Sequence, residues 1–189
     1  MKFYPIALAI LLAFPCLVHA QSETYKNFKV DLDLGRAAMA DSRIQSSPFD
    51  ITIEPHYRLS DNLMTGLRFE FVVGSQQFQM ISGGYDVGQI SLDSYVPTAD
   101  YYILTRNKFR FSVGAGVGAF KRGAESMDPT YYITAGTITS DNHFRPLAML
   151  RIANEFGHSH YGITYNYVSQ NRSYISGFVG FSFGGGFKD

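Results

Sequence analysis

Apolar and polar residues alternate through most of the chain after residue 27, with the period of two that a half-buried strand imposes. Phe28, Val30, Leu32 and Leu34 alternate with Lys29, Asp31 and Asp33, so one face is apolar and the other charged. The pattern returns with Phe49, Ile51, Ile53, Tyr57 and Leu59 against Asp50, Thr52, Glu54, His56 and Arg58. Ser60-Asp61-Asn62 has turn chemistry, and after it Leu63, Leu67, Phe69, Phe71 and Val73 oppose Gly66, Arg68 and Glu70, which completes a hairpin.

A fourth strand is expected over about residues 91 to 104, with Tyr95, Ala99, Tyr101 and Ile103 on one face and Asp100 and Tyr102 on the other. Thr105-Arg106-Asn107-Lys108 turns into a fifth, where Phe109, Phe111, Val113, Ala115, Val117 and Ala119 alternate with Arg110, Ser112 and glycines. The sixth, about 143 to 155, sets Phe144, Ala148, Leu150 and Ile152 against Arg145, Arg151 and Glu155. Gly157-His158-Ser159 turns into a seventh, with Tyr161, Ile163, Tyr165 and Tyr167 opposite His160, Thr164 and Asn166. The eighth carries Ile175, Val179, Phe181 and Phe183 and ends near Phe187. Eight such strands make the even number that a closed, single-chain, antiparallel up-and-down barrel requires.

The connections alternate too. Those near 60–62, 105–108 and 156–159 are short; those near 39–47, 75–90 and 121–142 are long, and the one near 169–173 is intermediate. Short periplasmic turns and longer extracellular loops have this rhythm, and it puts both termini on the periplasmic side. Pro55, Pro97 and Pro146 fall inside the runs; proline cannot donate to a ladder, so bulges or displaced rims are expected there.

The first twenty residues have a different character: Lys2, an apolar run from Ile6 to Leu17, then Val18-His19-Ala20. This is the order of a secretory signal peptide cleaved after Ala20, and the run is shorter than the ~20 residues of a spanning helix. Ala13-Phe14-Pro15 before Cys16 does not suit a lipid-modified cysteine. Residues 21–189 then form the barrel domain, without cysteine, which excludes disulfides and thiolate metal sites. They carry 15 Lys plus Arg against 16 Asp plus Glu, which gives no electrostatic reason to expect nucleic acid.

Several segments resemble the small outer-membrane barrels of the OmpA/OmpX type, often described as porin-family outer-membrane β-barrel domains. They are Glu54-Pro55-His56-Tyr57-Arg58-Leu59-Ser60-Asp61-Asn62 leading into Gly66-Leu67-Arg68, Asp100-Tyr101-Tyr102, Gly114-Ala115-Gly116-Val117-Gly118, Tyr165-Asn166-Tyr167 and Gly184-Gly185-Gly186. The resemblance implies an all-β, eight-stranded transmembrane barrel in the bacterial outer membrane, surrounded by lipid and delivered by the barrel-insertion machinery. It leaves activity open, since such barrels include adhesins, narrow pores and lipid enzymes. The ending departs from the family: Phe187 is followed by Lys188 and Asp189, where an aromatic terminus is usual.

The inward face then holds Lys29, Arg58, Arg68, Arg110, Arg145 and Arg151 against Asp31, Asp33, Asp50, Glu54, Glu70, Asp100 and Glu155. Near-balanced charges inside so narrow a barrel are expected to pair into a plug and not to line a selective channel. Outward aromatics such as Tyr57, Tyr101, Tyr161, Tyr165 and Phe183 suit the interfacial girdles; Tyr102 points inward by the same register. His158-Ser159-His160 with Glu155 has the residue types of a hydrolase, but alternation sends neighbours to opposite faces and the segment falls in a periplasmic turn. Two imidazoles without a third ligand make a poor metal site, and neither glycine run opens a helix, so no metal, phosphate or other cofactor is expected.

A non-enzymatic structural or adhesin-like role through extracellular loops is therefore the leading expectation, with monomers and with host or envelope proteins as partners. A narrow pore is the alternative, a lipid-modifying enzyme ranks lower, and a soluble lipocalin would place its apolar face inside. Residues 76 to 90 read as a hairpin that prolongs the third and fourth strands, and 131 to 139 are rich in strand formers. Phe78, Met80, Tyr85, Tyr131 and Tyr132 are the candidate contact residues.

Overall fold

The computed structural model describes residues 26–40, 47–79, 85–106, 109–124, 141–168 and 173–185. The strands are β1 (Phe28–Met39), β2 (Phe49–Arg58), β3 (Leu63–Gln79), β4 (Tyr85–Arg106), β5 (Phe109–Ala124), β6 (Asp141–Phe156), β7 (Ser159–Tyr167) and β8 (Tyr174–Gly184). Each pairs antiparallel with the next, and β8 returns to β1 from Lys29↔Gly184 to Met39↔Tyr174, closing the barrel. All eight elements are therefore where the alternation put them, in an up-and-down order. The leader and the Phe187 ending lie outside the described residues.

Turn chemistry fixes the hairpins at one end. The Ser60 hydroxyl accepts from the Leu63 amide at 3.1 Å, and the Leu59 amide donates to the Leu63 carbonyl at 2.9 Å. Between β6 and β7 only Gly157 and His158 intervene; Gly157 takes φ +63°, which a glycine adopts without steric cost. The prolines do not shift the register. The ladder lapses beside Pro55 toward β3 and beside Pro97 toward β5, then resumes in phase, and Pro146 keeps its place opposite Ala119. The irregularities lie elsewhere, between Tyr102 and Leu104 and between Phe120 and Arg122. The expectation of bulges at the prolines is corrected accordingly: a missing donor costs one ladder bond without requiring an extra residue.

β3 and β4 carry the extension expected of residues 76 to 90, while β5 and β6 run a few residues past the alternation that marked them. β4 has 22 residues and β3 has 17, against the ~9–11 needed to cross a bilayer. Along β4 the outward row is Tyr95, Pro97, Ala99, Tyr101 and Ile103, then turns polar toward the start of the strand at Asp93, Ser91 and Gln89. The inward row inverts in the opposite sense. Val72, Ile90, Leu92, Val96, Phe120, Leu147, Met149 and Ala37 pack together, with Met39 and Val168 against them. An apolar layer thus fills the long-loop end of the barrel, while charge fills the rest. Where a strand's outer side faces water, its inner side must supply the buried apolar surface that holds the strands together.

Candidate functional site

Three tiers of polar side chains occupy the lumen beneath that apolar layer. Nearest the short turns, Lys29 ion-pairs closely with Glu155 and lies 2.9 Å from Asp31. Arg110 meets Glu155 at 2.7 Å, and the Tyr102 hydroxyl donates to the same carboxylate at 2.8 Å. The Tyr102 ring is flanked by the guanidiniums of Arg58 and Arg110, 5.2 and 5.3 Å from its centroid. Tyr102 thus works inside the barrel, away from the interfacial girdle.

In the middle tier Arg151 forks across two strands. Its Nε donates to Asp100 at 3.1 Å and its Nη2 to Glu54 at 3.0 Å, with one closer contact to each carboxylate. Thr98 donates to Glu54 at 2.6 Å. His56 faces Asp31 at 3.1 Å and Glu54 at 3.7 Å. In the upper tier Arg68 pairs with Glu70 at 3.0 Å, and Glu70 also accepts from Ser94 at 2.8 Å and Tyr174 at 2.7 Å. Asp50 is held closely by Ser176.

Lys29, Asp31, Asp33, Asp50, Glu54, Arg58, Arg68, Glu70, Asp100, Arg110, Arg151 and Glu155 are all buried inside the barrel. Arg145 is the exception and is corrected here. It keeps the inward phase of β6, but it lies one inward position beyond Leu147, at the open rim, and is exposed to solvent. The two histidines part as the alternation expects. His158 stays in the turn, whereas His160 is buried, since β7 already begins at Ser159 and alternation turns His160 into the lumen. There it pairs closely with Asp33, and its Nδ1 lies 3.0 Å from the Ser182 hydroxyl.

His56, His160, Tyr174, Ser94 and Ser176 therefore join the plug. Their phase along the strands was the signal for them; a search confined to formal charge passes over it.

Ser182, His160 and Asp33 are the residue types of a nucleophilic triad. All three are buried, and the void beside them measures about 20 Å³, room for a water and not for an acyl substrate. Glu54, His56 and Asp100 bring ligand atoms within 4.8 Å of one another. Arg151 already spans both carboxylates, so the cation this donor set calls for is supplied by the chain itself.

At the other end, β3 and β4 stay paired to Gln79↔Tyr85. The expected hairpin extension therefore forms, and Phe78 and Tyr85 lie on its two strands. Met80, Tyr131 and Tyr132 lie outside the described residues.

The closed barrel has solved counterparts in fold. Neisserial surface protein A (NspA) is 14% identical, superposes with a TM-score of 0.60, and is matched over 86% of this chain and 99% of its own. The outer membrane protein OprG from Pseudomonas aeruginosa is 9% identical, with a TM-score of 0.56 over 85% of this chain and 97% of its own. The chain has the fold of the small eight-stranded outer-membrane barrels. No protein-family model matches the sequence, and neither does any curated protein.

For an outer-membrane barrel the remaining geometry is consistent. Large apolar side chains such as Leu32, Ile53, Phe71, Leu150, Ile163 and Phe181 are exposed around the wall, where lipid would meet them. No helix among the described residues is long and apolar enough to cross a membrane, and a strand-built wall needs none.

Proposed function

We propose that this barrel is a non-conducting outer-membrane scaffold that presents a protruding sheet to protein partners at the cell surface, in the manner of an adhesin. The observation that carries this reading is the length of β3 to β6 beyond the apolar belt. β2 meets β3 only as far as Phe49↔Val73, while β3 continues with β4 to Gln79↔Tyr85. From residue 76 to 79, β3 is laddered on one side only among the described residues. An open edge is a template for an added strand, and main-chain pairing with an extended segment is an established route to recognition. The long strands around it are anchored below by the apolar layer and the ionic plug, so the edge is presented on a rigid support.

The test removes the edge and keeps the barrel. Residues 78–87 are deleted and the strands rejoined through an Asn-Gly turn. Whole bacteria displaying either form are then measured for attachment to cultured epithelial cells and to immobilised extracellular-matrix and serum proteins. Heat-dependent gel mobility reports that the barrel is intact. Attachment is expected to fall with the deletion, and equal attachment by both forms would refute the interaction role.

A further inference from the structure

A hollow of about 880 Å³ lies in the outer wall, on the side formed by β1, β6, β7 and β8. Gly177 lies in its floor. Phe49, Arg36, Gly177, Ile163 and Ile152 are successive cross-strand neighbours on five adjacent strands. Every member of that outward row has a side chain except Gly177. A Cβ built on Gly177 meets nothing within 4 Å, so the gap opens to the outside and not into the lumen. Leu34, Val179, Tyr161 and Tyr165 stand around it and make an apolar depression edged by ring hydroxyls. Its volume lies within the range of ligand pockets, ~300–1,000 Å³.

One exposed, outward-facing charge borders this depression, since the Arg151 behind its wall is buried in the lumen. Arg36 faces outward and is exposed; its guanidinium lies 5.9 Å over the Phe49 ring and donates to the Ser47 carbonyl at 2.9 Å. Among the described residues it makes no ion pair. Arg36 follows Phe28, the periplasmic start of β1, by eight residues of tilted strand. Eight residues rise roughly 20 Å along the membrane normal, close to the full height of an apolar belt of ~25 Å. Arg36 therefore sits at the outer-leaflet headgroup boundary with the hollow beside it in the hydrocarbon.

We infer that the Gly177 hollow binds lipid A, the phosphorylated and multiply acylated glycolipid of the outer leaflet. Acyl chains fill the depression over Gly177, and a phosphate oxygen accepts from the Arg36 guanidinium. The charge complementarity and the height of Arg36 select this occupant. A neutral lipid would leave the guanidinium without a counter-ion, and an inner-leaflet phospholipid would place its phosphate at the opposite end of β1. Charge-assisted hydrogen bonds to phosphate, presented next to an apolar groove, give both affinity and orientation.

The test uses the full-length protein in lipid nanodiscs of phosphatidylcholine, titrated with lipid A, with chemically dephosphorylated lipid A or with phosphatidylglycerol, and read by native mass spectrometry. Gly177→Leu fills the hollow from outside, where the backbone leaves room for it. Arg36→Gln removes the charge, and Val117→Leu alters the wall on β5 as a control. Heat-dependent gel mobility confirms folding of each. Wild type and Val117→Leu are expected to bind one lipid A in preference to the other two lipids. Gly177→Leu should weaken that binding about tenfold. Arg36→Gln should cut the preference for phosphorylated over dephosphorylated lipid A about fivefold. Equal binding by wild type and both variants would overturn the site, and equal binding of phosphatidylglycerol would overturn the choice of occupant.

Discussion

Replacing Arg151 by leucine is the sharpest probe of the plug. Arg151 touches both Glu54 and Asp100, each buried, so its loss strands two carboxylates in an interior that holds almost no space for water. Breaking a buried, hydrogen-bonded ion pair by removing one partner costs ~3–5 kcal/mol, most of it the charge left behind. Arg68, whose guanidinium lies 4.0 Å from Glu54, offsets a part of this, which points to the lower half of that range. The triple variant Arg151→Leu, Glu54→Gln, Asp100→Asn removes the stranded charges along with the cation. Replacing a complete buried ionic group by neutral residues is often close to neutral, so the triple should lie within ~1–2 kcal/mol of wild type. Equilibrium urea unfolding in phospholipid vesicles measures both. The chain has no tryptophan, so far-ultraviolet circular dichroism or the mobility of the unboiled band serves as the signal. A single variant within about 1 kcal/mol of wild type would refute the view that Arg151 compensates buried charge. So would a triple variant less stable than the single.

The lumen should not conduct: with a void of about 20 Å³ among paired charges, purified protein in a planar bilayer is expected to show no steady current, and regular reproducible steps would contradict the plug. Two glycines on β8 should behave oppositely. A Cβ on Gly180 would collide with Asp33 and His160, so Gly180→Ala is expected to cost ~1–3 kcal/mol in the same urea assay. Gly177→Ala, which meets nothing, should stay within ~0.5 kcal/mol; equal losses at both positions would show that strand propensity and not the lumen sets the penalty.

The transmembrane part of this fold was legible because lipid outside and charge inside impose one rule on every strand. Phe28 to Leu34 and Phe109 to Ala119 obey it without interruption. The rule also carries the phase of Tyr102 and His160, although His160 follows a turn. It fails at the outer end, where the environment changes from hydrocarbon to water. Ile90, Leu92 and Val96 are inward while Ser91 and Asp93 face out, the reverse of Asp100 and Tyr101 on the same strand. Alternation is preserved across that boundary, but its sign is not, and sign alone cannot say where a membrane stops. Arg145 was misplaced for the same reason: inward phase implies burial only as deep as the barrel is filled. The Gly177 hollow was illegible in a further sense, because its walls come from residues as far apart in sequence as Arg36 and Ile163, brought together only by barrel closure.

The partnerships in the plug also bear on how the chain enters its membrane. Lys29 on the first strand finds Glu155 on the sixth, 126 residues later; Asp33 meets His160 on the seventh, and Asp50 meets Ser176 on the eighth. An assembly intermediate with the early strands in place and the late ones still outside would present Lys29, Asp33 and Asp50 without these partners, at a cost no bilayer can offset. Partial insertion is therefore penalised by the same side chains that stabilise the finished wall. Joining the first strand to the last and neutralising the interior become a single step, so the barrel should cross from unassembled to complete without a long-lived half-built form.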